Sequence, residues 1–538
     1  MKCRIFYDLS PNFIKFDFLY GLFQMEQDNA VKSRRIAKNT LMLYVRMLVL
    51  MLVGLYTSRV VLAALGETDF GIYDVVGGVV AMFTVISGSL NSAISRFITF
   101  ELGKGTEARI GQVYSTAVTI QFLIAVIVAV IAEPVGLWFI DNKMTIDPSR
   151  IPAAQWVLHF SLLAFVINLM SVPQMAAITA HEKMSAYAYI GLLDGFLRLG
   201  VAIVISRSSS DRLVEYAALM AASVLLVRTA YGIYCRLRIH ECRYRPVMDM
   251  ALIKEMFSFA GWNFIGVSAG VLRDQGGKIL INIFTGPTVN AARGVAMQLN
   301  GAVQGFVSNF MTAVNPQITK SYASGDKDYM FYLISKSSRM SFYLLLVLAL
   351  PVLLNTEYIL ELWLKEVPEH SVLFVQLFLV FTLSESLSNP LITAQLATGR
   401  IRNYQLVVGG LQLLNIPVSY VFLKAGAVPE VTAMVAIVIS QICLFARLVM
   451  LKGMVGLPVG GFIRSVYLNV IVTTLLALPL SATAAYMLPD TFWGFVGCAA
   501  ISAGAAAMSV WLYGLSCSER REIVKMVRNK MRHDQDNG

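Results

Sequence analysis

Apolar stretches of about 20 residues recur along the whole chain, and this recurrence limits the fold more than any other feature. A helix of that length crosses a hydrocarbon layer of about 30 Å. Inside such a layer every backbone N–H and C=O must find its partner within the segment, which leaves helices or a closed barrel. The runs fall at 41–63, 72–95, 113–134, 153–178, 187–206, 213–235, 256–283, 291–313, 340–356, 372–397, 403–424, 431–451, 465–487 and 491–514. They predict an all-α polytopic membrane protein of about 14 transmembrane helices. The seventh run is the least apolar, because it holds Arg273, Asp274, Gly276, Gly277 and Lys278. Soluble domains average about 45–50% apolar and about 25% charged residues. This chain has 57% and 14% over 538 residues, which excludes an ordinary soluble enzyme, a coiled coil and a disordered chain.

The net charge of +11 is mostly a signal of orientation. With the N-terminus in the cytoplasm, 30 of the 44 Lys and Arg residues fall in cytoplasmic segments and six in the opposite loops. That asymmetry predicts a multi-pass membrane protein with both termini inside, N-in and C-in. Loops are short, so no soluble domain is expected. The outer loops near 141–152 and 357–371 hold no catalytic constellation, although Glu357, Glu361, Glu366 and Glu369 make the second acidic. The six cysteines and five histidines are dispersed, and neither a metal site nor a disulfide framework is implied. Residues 1–24 lack the plan of a signal peptide. They read as a start placed too early, with Met25 opening the native chain, or as a short interfacial segment.

A shift of 220 residues exposes an internal repeat. It lays Gly66, Thr68 and Val75 over Gly286, Thr288 and Val295, and Ala93, Ile98, Thr99 and Gly105 over Ala313, Ile318, Thr319 and Gly325. A shift of 217 lays Pro173, Ala177, Ala180, Lys183 and Tyr187 over Pro390, Ala394, Ala397, Arg400 and Tyr404. The unit is six helices, so the halves are parallel and related by an axis along the membrane normal. The expected organisation is a cytoplasmic segment (1–33), a six-helix bundle (34–240), a cytoplasmic linker (241–254) and a second bundle (255–455). Two extra transmembrane helices (456–515) and a basic cytoplasmic tail (516–538) follow. Two bundles facing each other in a V around a central cavity suit a transporter.

Ionisable groups at span depth are the remaining functional signal, because they face a cavity or a partner. Arg447, Arg293 and Glu133 lie near span ends and read as snorkelling, as Arg228 and Arg46 also can. Arg198 is mid-span, with Asp194 one turn earlier on the same face, which predicts an ion pair. Arg273, Asp274 and Lys278 form a net-positive cluster. By the repeat, Arg59 and Lys278 give each half a cation in the outer part of its first helix, and Asp74 falls beside Arg293 as a candidate outer gate. A cationic cavity suits an anionic, phosphate-bearing substrate. Asn91, Gln121, Asn168, Asn263, Gln298, Asn300, Gln304 and Asn309 add hydrogen-bonding capacity for sugars or between helices.

The stretch RRIAKNTLMLYVRMLVLMLVGLYTSRVVLAALGETDFGIYDVVGGVVAMF (34–83), with SAISRFITFELGKG (92–105) and AAITAHEKMSAYAYIGLLDGFLRL (176–199), resembles bacterial Wzx-type O-antigen and capsular polysaccharide flippases. These belong to the multidrug/oligosaccharidyl-lipid/polysaccharide exporter superfamily. The resemblance covers about 34–450. It implies translocation of undecaprenyl-pyrophosphate-linked oligosaccharide across the inner membrane by alternating access, with no enzymatic step and no cofactor. It also implies a cationic cavity and coupling to H+ or Na+. The cationic role carries onto Arg46, Arg59, Arg198, Arg273 and Lys278 as substrate-binding candidates. The ion-coupling or ion-pair role carries onto Asp74, Asp194, Asp274 and Glu385. Partners would be the lipid-linked oligosaccharide, membrane lipid and other polysaccharide-assembly proteins, not nucleic acid. The competing readings are a multidrug or organic-cation antiporter of the same superfamily, which would favour acidic cavities, and a polysaccharide polymerase, which would need a larger outer loop.

Overall fold

Secondary structure and packing were read from a computed structural model. It describes residues 12–521 and 524, apart from 82, 106, 145, 246–248, 365–366, 490 and 517. Side chains are described from residue 36 onward, except at scattered helical positions that include Asp74. The reading of Met25 as the native start lies outside the described side chains. No strand occurs among the described residues.

The first half begins with α1 (Asn12–Ala81), which breaks at Gly66, and continues through α2 (Thr84–Lys104) and α3 (Glu107–Lys143). Next come α4 (Ile151–Met170), α5 (Val172–Ala180), α6 (Met184–Ser206) and α7 (Arg212–Arg238). The second half runs α8 (Met250–Thr285), α9 (Pro287–Ala323), α10 (Lys327–Leu354), α11 (Thr356–Leu364) and α12 (Ser371–Ser386). It closes with α13 (Asn389–Ala397), α14 (Arg402–Leu413), α15 (Asn415–Lys424) and α16 (Val431–Val455). Short acidic caps start several of these helices. Asp211, Asp249 and Asp326 accept the exposed first-turn N–H groups of α7, α8 and α10.

The repeat is visible in the backbone. Gly66 has φ 75° and ψ 170°, and Gly286 has φ 86° and ψ −174°, so both halves reverse between their first two helices through the same glycine-only conformation. Gly105 and Gly325 end the second helix of each half at φ 74° and 80°. The shift of 217 also holds, since Glu182 at φ 58° and Gly399 at φ 75° turn the same corner.

Among the described residues, eleven helical segments are long and apolar enough to cross a membrane, so the chain is a multi-pass membrane protein. The expected spans 256–283 and 291–313 are helical but fall below that apolar standard, whereas 72–95 runs from the end of α1 past Phe83 into α2, so no single helix covers it. They belong to α1–α2, α8 and α9, which form the contact between the halves and carry polar side chains there. Two further helices, α18 (Asn469–Met487) and α19 (Phe492–Ser509), follow the short α17 (Val459–Phe462) and a π-turn. They pack on α10, where Tyr343 Oη donates to the Gly514 carbonyl at 3.2 Å and Arg339 pairs with Glu519 at 2.8 Å. They therefore lie away from the seam between the halves.

Candidate functional site: a polar cavity between the halves

The loops rich in Lys and Arg gather at one end of the molecule, here the basic face. There Gly103 of α2 lies against α9 so closely that a Cβ would stand 2.7 Å from Ala323 Cβ and from the Lys320 carbonyl. Gly103 and Ala323 are repeat partners, so the halves cross near their pseudo-twofold axis. Ring contacts extend the seam, with Phe97 on Phe259 at 5.9 Å and Tyr44 on Phe306 at 5.4 Å. Among the described residues no hydrogen bond, ion pair or ring contact joins residues 48–81 to residues 264–304. The halves are thus joined toward the basic face.

Within the seam lies a cavity of about 230 Å³, lined from both halves. The first half contributes Asn91, Ser92, Ser95, Arg96, Thr99, Thr179 and Tyr187; the second contributes Thr312, Asn315, Pro316, Thr319 and Thr393. Ser92/Thr312, Ser95/Asn315 and Thr99/Thr319 are repeat partners, so the lining is duplicated along with the helices. Pro316 has no N–H for the Thr312 carbonyl one turn back, which leaves an additional acceptor at that wall. Arg96 is buried. Its Nη2 donates to the Ala397 carbonyl at 3.2 Å, its Nε has no partner, and its guanidinium stacks on Phe97 and Phe100 at 4.7 and 4.6 Å.

Glu182 links the two halves. Its carboxylate accepts from Lys320 Nζ at 2.6 Å and from Gln317 Nε2 at 2.7 Å, crossing from one half to the other. Beside it, burial pushes the His181 imidazole below its usual range. Glu241 opposes that shift, and Lys320 and Lys183 add to it. His181 is therefore neutral at pH 7 and adds no charge to the clasp.

The residues expected to share one cavity are distributed over several environments. Arg46 reaches across to α6, with its guanidinium 4.6 Å from the Tyr187 ring centre and against Gly191, at the cavity's edge. Arg198 and Asp194 form the expected pair at 3.1 Å, but in a cavity of about 360 Å³ inside the first half. Arg273 and Asp274 pair at 2.9 Å inside the second half, next to Arg293, which donates to the Asp274 carbonyl at 3.1 Å. Arg59 and Lys278 are exposed. Glu385 accepts from Ser440 at 2.6 Å and faces Arg447 at 3.9 Å.

One expectation needs correcting. Arg447 and Arg293 do not snorkel: they are 1% and 7% exposed, because each points into the second bundle rather than along it toward a surface. Of the expected outer gate, Arg293 donates through Nη2 to the Asp274 carbonyl, and Asp74 lies outside the described side chains.

Arg96, Glu182 and Lys320 escaped sequence reasoning because they fall in segments assigned to basic loops. The repeat held a usable signal, since Glu182 aligns with a glycine.

Comparison with known proteins adds family and fold. The profile of the family described as polysaccharide biosynthesis protein matches residues 36–322, more than half of the chain. No curated protein matches the sequence. Among solved structures the fold is similar to a MATE transporter in complex with MaD3S, at 10% identity and TM-score 0.69, over 79% of this chain and 97% of that one. It is similar to an outward-facing multidrug resistance MATE transporter of the MOP superfamily, at 10% identity and TM-score 0.68, over 80% and 96%. A MOP superfamily transporter from Pyrococcus furiosus, described as having a binding pocket of reverse polarity, matches at 10% identity and TM-score 0.66, over 80% and 96%. At these identities the likeness is one of fold, and the fold is that of MATE-type transporters.

Proposed function

The chain belongs to the polysaccharide biosynthesis protein family, and from that membership we propose that it is a flippase for undecaprenyl-pyrophosphate-linked oligosaccharide, an O-antigen or capsule repeat unit. It would carry this substrate from the cytoplasmic to the periplasmic leaflet of a bacterial inner membrane by alternating access. The observation that carries the reading is the cavity between the halves, where hydroxyl and amide side chains surround one buried arginine with an unpartnered Nε. Hydroxyls and amides suit a glycan, and a guanidinium suits phosphate oxygens. The basic face would be cytoplasmic, N-in and C-in, by the Lys and Arg bias. No chemical step on the substrate is proposed, and the partners are the lipid-linked oligosaccharide, the surrounding lipid and the neighbouring assembly proteins.

Coupling to H+ or Na+ fits the reading through a carboxylate that changes partner during the cycle. Asp194, Asp274 and Glu385 each face an arginine within 4 Å, at 3.1, 2.9 and 3.9 Å. The same pairing speaks against an organic-cation antiporter, which needs a carboxylate free for its drug.

Replacement of Arg96 by Gln in the native host tests the proposal. We expect loss of surface polysaccharide and accumulation of the lipid-linked intermediate in the inner leaflet, with the protein retained in the membrane and drug susceptibility unchanged. Full surface polysaccharide from this variant would overturn the reading.

A further inference from the structure

A second, smaller cavity lies wholly inside the second half, and two arginines line it against one carboxylate. It measures about 30 Å³, and its polar lining is Arg273, Asp274, Arg293, Asn415, Ser419 and Thr432. Thr432 stands in the first turn of α16, so the cavity is near the end opposite the basic face. Arg273 pairs with Asp274 at 2.9 Å, which uses the carboxylate. Glu385, the other acidic residue of this half at span depth, faces Arg447 instead. Arg293 makes no ion pair among the described residues. It is 7% exposed, its Nη2 donates to the Asp274 main-chain carbonyl, its guanidinium lies over Phe378 at 5.4 Å, and its Nε has no hydrogen-bond partner. A guanidinium stays charged at any pH a protein survives, and a buried charge without a counter-charge is costly. The repeat sharpens the point. Arg273, Asp274 and Arg293 fall on Val53, Gly54 and Tyr73, so the excess cation has no counterpart in the first half. Gly277 makes room for it, since a Cβ there would stand 3.1 Å from Arg293 Nη2, whereas the first half has Thr57 at that position.

We propose that this cavity binds one small monovalent anion, of the chemistry of chloride, as the counter-charge of Arg293. The ion accepts from the Arg293 Nε–H in a charge-assisted bond. Asn415 Oδ1, which is buried and also lacks a partner, is an acceptor and cannot hold the anion directly. One water needs about 10–15 Å³, so the volume takes the ion together with a water, whose two hydrogens serve the ion and Asn415 Oδ1. The space is too small for a sugar or a diphosphate, which separates this site from the cavity between the halves. Its lining comes from α8, α9, α15 and α16, with the Phe378 and Phe381 rings of α12 as apolar wall. The ion therefore ties the outer ends of five helices and makes the packing of the second half dependent on the anion in solution. The inference does not depend on what the protein transports.

The test uses purified full-length protein in a non-ionic detergent, with sodium chloride exchanged for sodium gluconate at constant ionic strength. Chloride should raise the melting temperature by a few degrees and the rise should saturate, because the ion binds the folded state. Bromide should replace chloride, and the larger sulfate should not. Arg293→Met removes the excess cation and should abolish the shift. Asn415→Asp places a carboxylate in the cavity. In gluconate it should melt as the wild type does in chloride, and chloride should move it no further. If Arg293→Met does not fold, loss of the chloride shift in Asn415→Asp carries the prediction alone. Equal melting temperatures of the wild type in chloride and gluconate would mean that water alone fills the cavity, and would overturn the proposal. A chloride shift that persists in either variant would place the ion elsewhere and overturn it too. Neither result bears on the flippase reading, which surface polysaccharide tests separately.

Discussion

Arg447 shows how a residue's position along a span fails to report its surroundings. Near the end of its helix it reads as a snorkelling side chain, yet it is 1% exposed and faces Glu385 at 3.9 Å. Distance to a span end says how far a side chain must reach for water. It does not say whether the helix face points to lipid or into the bundle, and packing decided that here. Arg447→Ala should lower stability by about 2–4 kcal/mol, because it empties the space of a fully buried side chain and leaves the half-buried Glu385 without its cation. Thermal denaturation in detergent measures this, and Glu385→Gln in the same background should recover part of the loss. The Asp194–Arg198 pair was legible for the opposite reason: four residues along one helix set both side chains on one face, whatever the neighbours do. Arg96 was not legible, since it falls just beyond a predicted span, and only the packing of the halves sets it in a cavity lined also by Thr312, Asn315 and Thr319.

Elements were read more securely than residues. Their ends are marked by glycines whose conformations the structure repeats in both halves. Gly66 and Gly286 occupy a backbone region essentially closed to other residues, and nothing lies within 4 Å of a Cβ built on either. Any loss on substitution is therefore one of backbone strain rather than of space. Gly66→Ala and Gly286→Ala should each lower stability by about 1–3 kcal/mol, and by similar amounts, as measured by thermal denaturation of the two proteins side by side. A large difference between them would show that the two turns are not equivalent. The two spans that fall below the apolar standard for crossing, in α8 and α9, were found as runs of apolar residues of about the right length. Mean hydropathy misses them because one face of each turns to the other half instead of to lipid or to its own bundle's core.

At the scale of the whole molecule the controlling feature is the closeness of the halves at the basic face. Gly103 allows α2 and α9 to touch, and any larger side chain there meets backbone and Cβ atoms at 2.7 Å. Gly103→Leu should hold the basic face apart. A cysteine placed at Thr319 would then label from that face with an impermeant maleimide, where the closed parent would not, and surface polysaccharide would be lost. Unchanged labelling would mean that the seam yields elsewhere. Periodicity, apolar run length and charge bias are local or summed properties, so the sequence alone carried the helical membrane class, the duplication, the expected orientation and the resemblance to its family. Which cations face the seam, which are sealed inside one bundle, and which carboxylate bridges the halves depend on helix rotation and on contacts between segments far apart in the chain. Those follow from how two packed bundles meet, and no local pattern encodes that meeting.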